Sequence, residues 1–303
     1  MRAVVTGGAG FIGSHVAAAL VARGDEVHVL DNLATGLREY VPDRAQLHVG
    51  DIRNDADLDS VFGEARPELC FHLAAQADVG TSVAEPVYDA EVNVLGTLRL
   101  LEVARRNGTQ IVFSSTGGAI YGECTGPAAE SAPRRPLSPY GTAKLAAEEY
   151  LATWNRLYGS THVSLRFGNV FGPHQAASLE GGVVAIFLER MAAGEASTIF
   201  GDGAQTRDFV YVGDVVRAVL AAAGHDGGVF NVGTGTELSV SALYDACARV
   251  AGFDGPAEHE PARAGDLLRS VLDPGLAAAE LGWRAETGLE AGLAETWSWI
   301  RSG

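Results

Sequence analysis

Tyr140 and Lys144 stand four residues apart in a stretch, Tyr140 to Leu157, whose pattern predicts a long helix, so their side chains share one face. A phenol with its ordinary pKa of about 10 is a poor base near neutrality, and a neighbouring ammonium favours its phenolate. Lowered by about three units, roughly 4 kcal/mol of differential interaction, such a tyrosine can take the proton of a substrate hydroxyl. Composition singles out the same lysine: of the 22 Lys and Arg residues, Lys144 alone is a lysine. Guanidinium is bulkier, planar and hardly titratable, so a lysine kept here fits a chemical requirement; chance composition is the alternative. Ala143 directly before it excludes a Walker-type phosphate loop, which needs Gly-Lys.

A second constellation lies at the start of the chain. Gly7-Gly8-Ala9-Gly10-Phe11-Ile12-Gly13 satisfies both GxxGxxG and GxGxxG between a predicted strand and a predicted helix. Glycines let such a turn tighten and let the backbone approach a pyrophosphate, whose charge meets amide N–H groups at the helix start. Asp31 follows Gly13 by 18 residues, at the end of the second predicted strand. A carboxylate there accepts the adenosine ribose hydroxyls and repels a 2′-phosphate, so the pattern favours NAD over NADP. A cationic nicotinamide would further favour the Tyr140 phenolate. Hydride could then leave the carbon whose hydroxyl proton Tyr140 takes.

These residues need a scaffold, and the first half supplies its pattern. Apolar strands are predicted at Arg2 to Thr6, Glu26 to Leu30, Ala45 to Val49, Leu69 to Leu73, Gln110 to Ser114 and His162 to Phe167. Helical spacing follows the glycine turn to Ala22 and recurs over Val87 to Arg106 and Tyr140 to Leu157. Alternation of this kind predicts an α/β fold, a doubly wound parallel sheet covered on both faces. Beyond Gly168 the rhythm changes. Helices are expected near Val183 to Ala193, Val212 to Ala223, Val240 to Ala251, Asp273 to Leu281 and Leu289 to Ile300. The expected organisation is a dinucleotide-binding domain over residues 1–168 and a smaller α/β lobe over 169–303, with some segments interleaved.

Composition excludes several classes. The net charge of −16, with no Lys/Arg run, speaks against nucleic acid. No apolar stretch reaches the roughly 18 residues of a membrane span, and the N-terminus does not read as a secretory leader. Three scattered cysteines, Cys70, Cys124 and Cys247, fit neither a disulfide framework nor a zinc site and suggest the reducing cytoplasm.

Along nearly its whole length the chain resembles the extended short-chain dehydrogenase/reductases, specifically their nucleotide-sugar 4-epimerases. The resemblance is carried by Gly7 to Gly13, Asp31 to Gly36, Gly50 to Arg53, His72 to Gln76, Asn93 to Thr97, Ser114 to Gly122 and Tyr140 to Lys144. It continues in Arg166 to Gly172, Phe200 to Gly203, Arg207 to Val210 and Arg263 to Asp266. It implies a Rossmann-type sheet in which Gly7, Gly10, Gly13 and the Phe11 and Ile12 amides meet the NAD pyrophosphate. Asp31, Asn32 and Gly36 would hold the adenosine half, with Asp51 and Ile52 beside the adenine. Leu73, Ala74, Ala75, Gln76 and Ser114 would line the cofactor, Asn93 would steady the sheet end, and Lys144 would bond the nicotinamide ribose. Thr116 matches a hydroxyl residue that contacts the reacting sugar hydroxyl. Substrate contacts would come from Thr116, Tyr140, Asn169, Gly182, Val183 and Val184. Arg207 and Arg263 would grip the diphosphate, with Asp266 on the nucleotide ribose.

Within this family, the resemblance implies, 4,6-dehydratases and decarboxylases carry an acid directly after the Thr116 position. Here Gly117 and Gly118 follow, and glycines transfer no protons. The expectation is therefore a redox-neutral isomerase with NAD tightly bound, interconverting UDP-glucose and UDP-galactose through a 4-keto sugar. Ser270 stands where relatives carry a bulky aromatic that excludes N-acetyl groups, so UDP-GlcNAc and UDP-GalNAc stay open, as do uronic acids. A nucleotide-sugar reductase or dehydrogenase would instead consume cofactor. A non-catalytic NAD(H)-binding sensor would be expected to lose the tyrosine, lysine or arginines kept here. The family also implies a homodimer through Val87 to Arg106 and Tyr140 to Leu157.

Overall fold

The computed structural model describes residues 1–177, 182–262 and 267–302. Six strands occur near their predicted places: β1 (Arg2–Thr6), β2 (Glu26–Asp31), β3 (Gln46–Val49), β4 (Leu69–His72), β5 (Gln110–Thr116) and β6 (Val163–Phe167). A seventh strand, Gly228–Val232, comes from beyond residue 168 and pairs with β6. The sheet order is Gly228–Val232, β6, β5, β4, β1, β2, β3, and every pairing is parallel. This is a doubly wound Rossmann-type sheet, whose order reverses between β1 and β4.

Both faces are buried, so the strands read as unbroken apolar runs. From β1, Ala3 and Val5 pack with Val16, Ala17 and Leu20 of the helix Phe11–Arg23 and with Val215 and Val219 of the helix Val212–Ala221. Val4 points the other way. It belongs to a second core with Leu58 and Phe62 of the helix Asp55–Ala65, Leu100 and Leu101 of the helix Thr97–Asn107, and Ala147 and Leu151 of the helix Pro139–Tyr158. A separate core (Phe187, Leu188, Leu243, Cys247, Leu293) knits together the helices Val183–Ala192, Val240–Ala251 and Leu289–Ser302.

The unbroken helix expected over Val87 to Arg106 is three pieces: Pro86–Ala90, a π-helical segment Glu91–Gly96, and Thr97–Asn107. Packing and polar pairing account for the difference. A Cβ at Gly96 would lie 2.8 Å from Ile52 Cδ1, so the backbone presses on that side chain. The wide turn lets Asp89 and Asn93 both reach Gln76, at 2.8 Å through the side chain and 3.1 Å through the backbone N–H. Hydrophobic spacing carries no signal for either contact, and such segments often mark functional sites.

Candidate active site

The C-terminal ends of β1, β2, β4, β5 and β6 lie along one sheet edge, where ligands bind in this architecture. At the end of β1, Gly7 turns through φ +71° against the end of β4; a Cβ would lie 2.6 Å from Ala74 N. A Cβ on Gly13 would come 2.0 Å from the Gly7 carbonyl oxygen, so helix and turn touch backbone to backbone. Gly10 differs: its only near neighbour would be Gly7 O at 3.3 Å. It starts the helix Phe11–Arg23 without a side-chain cap, which leaves the amides of Phe11, Ile12 and Gly13 for an anion.

The adenosine side is equally built. Asp31 is buried; its Oδ2 accepts from Ala9 N at 2.9 Å and its Oδ1 from Leu33 N at 2.8 Å. Both oxygens keep lone pairs for ribose hydroxyls. Gly36 closes on the glycine turn, where a Cβ would meet Ala9 at 2.9 Å. Asn32 Nδ2 donates to Asp51 Oδ2 at 3.0 Å, and the Arg53 guanidinium holds the Asp51 carboxyl well below the usual range. Ile52 is buried against Gly96. Leu73 and Ala74 donate to Thr6 O and Oγ1, and Ala75 and Gln76 follow in the same chain segment. Asn93 clasps Gln76 reciprocally: Gln76 N donates to Asn93 Oδ1 at 3.1 Å, and Asn93 Nδ2 donates to Gln76 O at 2.8 Å. These groups fit a dinucleotide: a cradle without side chains at the phosphates and a buried carboxylate beside the ribose position.

The reacting end sits beside β5. Ser138 caps the helix Pro139–Tyr158 by accepting from Gly141 N at 3.1 Å. The helix start is pressed onto the short helix Gly117–Ile120, since a Cβ on Gly141 would lie 2.6 Å from Ala119 O. That contact brings Tyr140 near Thr116, whose hydroxyl favours the phenolate. One turn on, Lys144 is 3% exposed and donates to Ser114 O at 2.9 Å, with Nζ 6.0 Å from the Tyr140 ring centre. Ser114 Oγ in turn donates to His72 O at 2.9 Å. Further along the helix, buried Glu148 receives Arg166 of β6 through Nε at 2.9 Å and Nη2 at 2.6 Å.

The electrostatics differ from the expectation. Burial pushes the Tyr140 phenol well above its ordinary value, the Asp89 carboxylate pushes the same way, and only the Thr116 hydroxyl opposes them. Burial pulls Lys144 down to about 8, against the carboxylates of Asp89 and Glu148. The ammonium alone therefore does not acidify the phenol. The rest of the expected shift has to come from charge brought in with the ligand. Asp89 had escaped sequence reasoning, because an acid two residues before Glu91 carries no spacing signal of its own.

On the substrate side, Asn169 N donates to Asp208 O at 2.7 Å, and a Cβ on Gly118 would lie 3.7 Å from Asn169 Oδ1 and 3.9 Å from Thr116 Oγ1. Thr116, Gly118 and Asn169 thus share one wall. Gly117 is filled from behind: a Cβ would lie 2.5 Å from Leu272 Cδ1. Gly182 and Val183 open the helix Val183–Ala192, while the Val184 side chain is buried in the lobe core. Arg207 Nη1 donates to Leu267 O at 2.7 Å, and Ser270 is buried, paired in register with Arg207. Arg263 and Asp266 lie outside the described residues.

Residues 3–233 match the NAD dependent epimerase/dehydratase family. The chain belongs to this family. Among similar members are the putative UDP-glucose 4-epimerase of Methanocaldococcus jannaschii (44% identical over 99% of this chain and 98% of that protein) and the UDP-glucose 4-epimerase of Mycolicibacterium smegmatis (44%, covering 100% and 99%). Among solved structures, the Thermotoga maritima UDP-glucose 4-epimerase with UDP-glucose superposes with a TM-score of 0.98 at 45% identity, covering 100% of this chain and 99% of that one. The Thermus thermophilus UDP-glucose 4-epimerase in complex with NAD gives 0.95 at 47%, covering 99% of each chain. The NAD dependent epimerase/dehydratase family also includes dehydratases. The dTDP-glucose 4,6-dehydratase DesIV of Streptomyces venezuelae gives 0.92 at 33% identity, covering 100% of this chain and 97% of that one.

Proposed function

We propose that this family member is a UDP-sugar 4-epimerase that interconverts UDP-glucose and UDP-galactose with NAD held throughout. The observation that carries the reading is the wall made by Tyr140, Thr116 and Gly118. It offers a phenol and a hydroxyl but no acid where elimination would need one. Leu272 packs against Gly117, so a side chain at that position would have to displace it. The relatives named UDP-glucose 4-epimerase and the similarity to a structure with UDP-glucose support the same choice of sugar nucleotide. A bound nicotinamide dinucleotide supplies the acceptor and donor of hydride at C4. Tyr140 takes the C4 hydroxyl proton and later returns it, and Thr116 holds that hydroxyl against the phenol. Lys144 orients from below through Ser114, and Asn169 borders the sugar. Arg207, Arg263 and Asp266 grip the diphosphate and ribose, so the keto sugar can turn over without the nucleotide leaving.

Proton NMR of UDP-galactose with purified protein and no added cofactor should show UDP-glucose growing in. Its absence would remove this substrate. Absence of turnover with N-acetylated and uronic congeners as well would remove the class.

The protein works as a homodimer. Val83, Val87, Leu95 and Leu157 are exposed apolar side chains on the helices Val79–Ala84, Pro86–Ala90 and Pro139–Tyr158 and on the π-helical segment, an arrangement that fits a helical interface. Light scattering should give twice the 31.6 kDa chain mass, and Leu157→Asp should halve it. A wild-type monomer would refute the dimer. Three free cysteines support residence in a reducing cytoplasm, and among the described residues no helix is long and apolar enough to cross a membrane.

A further inference from the structure

Asp89, Lys144, Glu148 and Arg166 are four buried charged side chains, and they are not equally satisfied. Glu148 has its own cation, Arg166, in a buried two-point pair. Among the described residues Lys144 has no such partner at contact distance; its amine rests on the Ser114 carbonyl. Asp89 is 1% exposed, on the helix Pro86–Ala90. Its Oδ1 accepts from Gln76 Nε2 at 2.8 Å and Asn93 Nδ2 at 2.9 Å, while its Oδ2 is buried and has no hydrogen-bond partner among the described residues. Gln76 and Asn93 are neutral. A buried carboxylate without an ion pair is costly unless a nearby charge compensates it. The helix Pro86–Ala90 packs against the helix Pro139–Tyr158, which carries the buried Lys144 ammonium.

We propose that Asp89 is a positioning residue of the active site, the buried counter-charge that keeps Lys144 an ammonium, held at its place by the π-helical turn through Asn93 and by Gln76. It never touches the reacting sugar and acts through Lys144 and Tyr140. Its influence on both residues appears in their proton affinities: its charge raises each of them. The other titratable groups around Lys144 are His72 of β4, which burial and Lys144 hold down to about 3 and thus neutral, and Glu148, occupied by Arg166. Neither replaces Asp89. The proposal deepens the epimerase reading and rests on it for its kinetic part only.

The sign follows from charge. Without Asp89 the ammonium loses its support and the phenolate loses a repelling neighbour, so both groups titrate at lower pH. In Asp89→Asn, whose amide oxygen can still serve Gln76 and Asn93, both limbs of the kcat–pH profile should move about one unit towards acid together. A merely structural role would lower kcat and leave the limbs in place.

The single lysine allows a direct reading independent of turnover. Protein grown on 13Cε-lysine carries one lysine resonance, that of Lys144. With the dinucleotide-loaded protein, its titration midpoint should fall by about one unit in Asp89→Asn. If that variant does not fold, Asp89→Ser keeps one oxygen for the two amides and should show the same fall. In the wild type the same resonance should show a small step as Asp89 protonates, above the ordinary aspartate range, since burial raises that carboxyl. An unmoved lysine midpoint in a folded variant, or a wild-type resonance without that step, overturns the proposal. Wild-type protein without epimerase activity sinks the functional reading and leaves the lysine result to stand by itself.

Discussion

Replacing Tyr140 by Phe should lower the rate of UDP-galactose conversion by about 10²- to 10⁴-fold, the usual contribution of a positioned proton-transfer group. The substitution removes one oxygen and little else. The ring keeps its place in the first turn of the helix Pro139–Tyr158, which is anchored by the Ser138 cap and by Gly141 against Ala119. Dinucleotide content, measured by mass spectrometry of the native protein, should be unchanged, because the glycine turn and Asp31 lie on other strands. Melting temperature should change little. The loss should fall on kcat, since an interaction made as the proton moves is absent from the bound ground state. Thr116 cannot take over: its hydroxyl is weakly acidic, and among the described residues it has no hydrogen-bonded base behind it. A Phe variant within tenfold of wild type would mean that the proton leaves by another route, and the assignment of Tyr140 as base would have to be abandoned.

The second large effect is at the phosphate cradle, and it separates two kinds of glycine. Gly10→Ala should leave a folded protein that copurifies with little or no dinucleotide. A methyl there meets only Gly7 O, 3.3 Å away, so the turn itself can persist. The same methyl projects over the uncapped helix start, where the phosphates have to approach. Overpacking of about 1–3 kcal/mol on that contact corresponds to a loss of about tenfold to a hundredfold in affinity. Gly13→Ala is different in kind. Its methyl would sit 2.0 Å from Gly7 O, so the helix Phe11–Arg23 has to move off the turn. That variant should lose both dinucleotide and melting temperature. Native mass spectrometry with thermal unfolding distinguishes the two, and a Gly10→Ala protein that retains its full complement of dinucleotide would refute the cradle.

Lys144 shows how far spacing alone carries the argument. Its position one turn from Tyr140 was plain in the sequence, and its solitary status among the basic residues marked it out. The direction of the phenol's shift was not plain. Spacing puts a cation near the ring but does not report burial, and burial together with Asp89 pushes the phenol up. Glu148 and Arg166 had the same fate: neither position is unusual by itself, yet they form a buried pair that ties the helix to β6. Asn93 was expected to steady the sheet end, and it does lie beside Gln76; that it also holds the Asp89 carboxylate is visible only once the π-helical segment is seen.

By itself, then, the sequence determined the six leading strands, the glycine turn, Asp31 at a strand end and the Tyr140–Lys144 face. Each is a local pattern: buried parallel strands are apolar throughout, and turn and helix periods bring only near neighbours together. The tertiary structure decided the rest. It added Gly228–Val232 as the seventh strand, packed Leu272 against Gly117, and packed the helix that carries Asp89 against the helix that carries Lys144. These are contacts between residues far apart in the chain, and steric exclusion and charge coupling depend on distance in space and on shielding from water, neither of which is written in residue order.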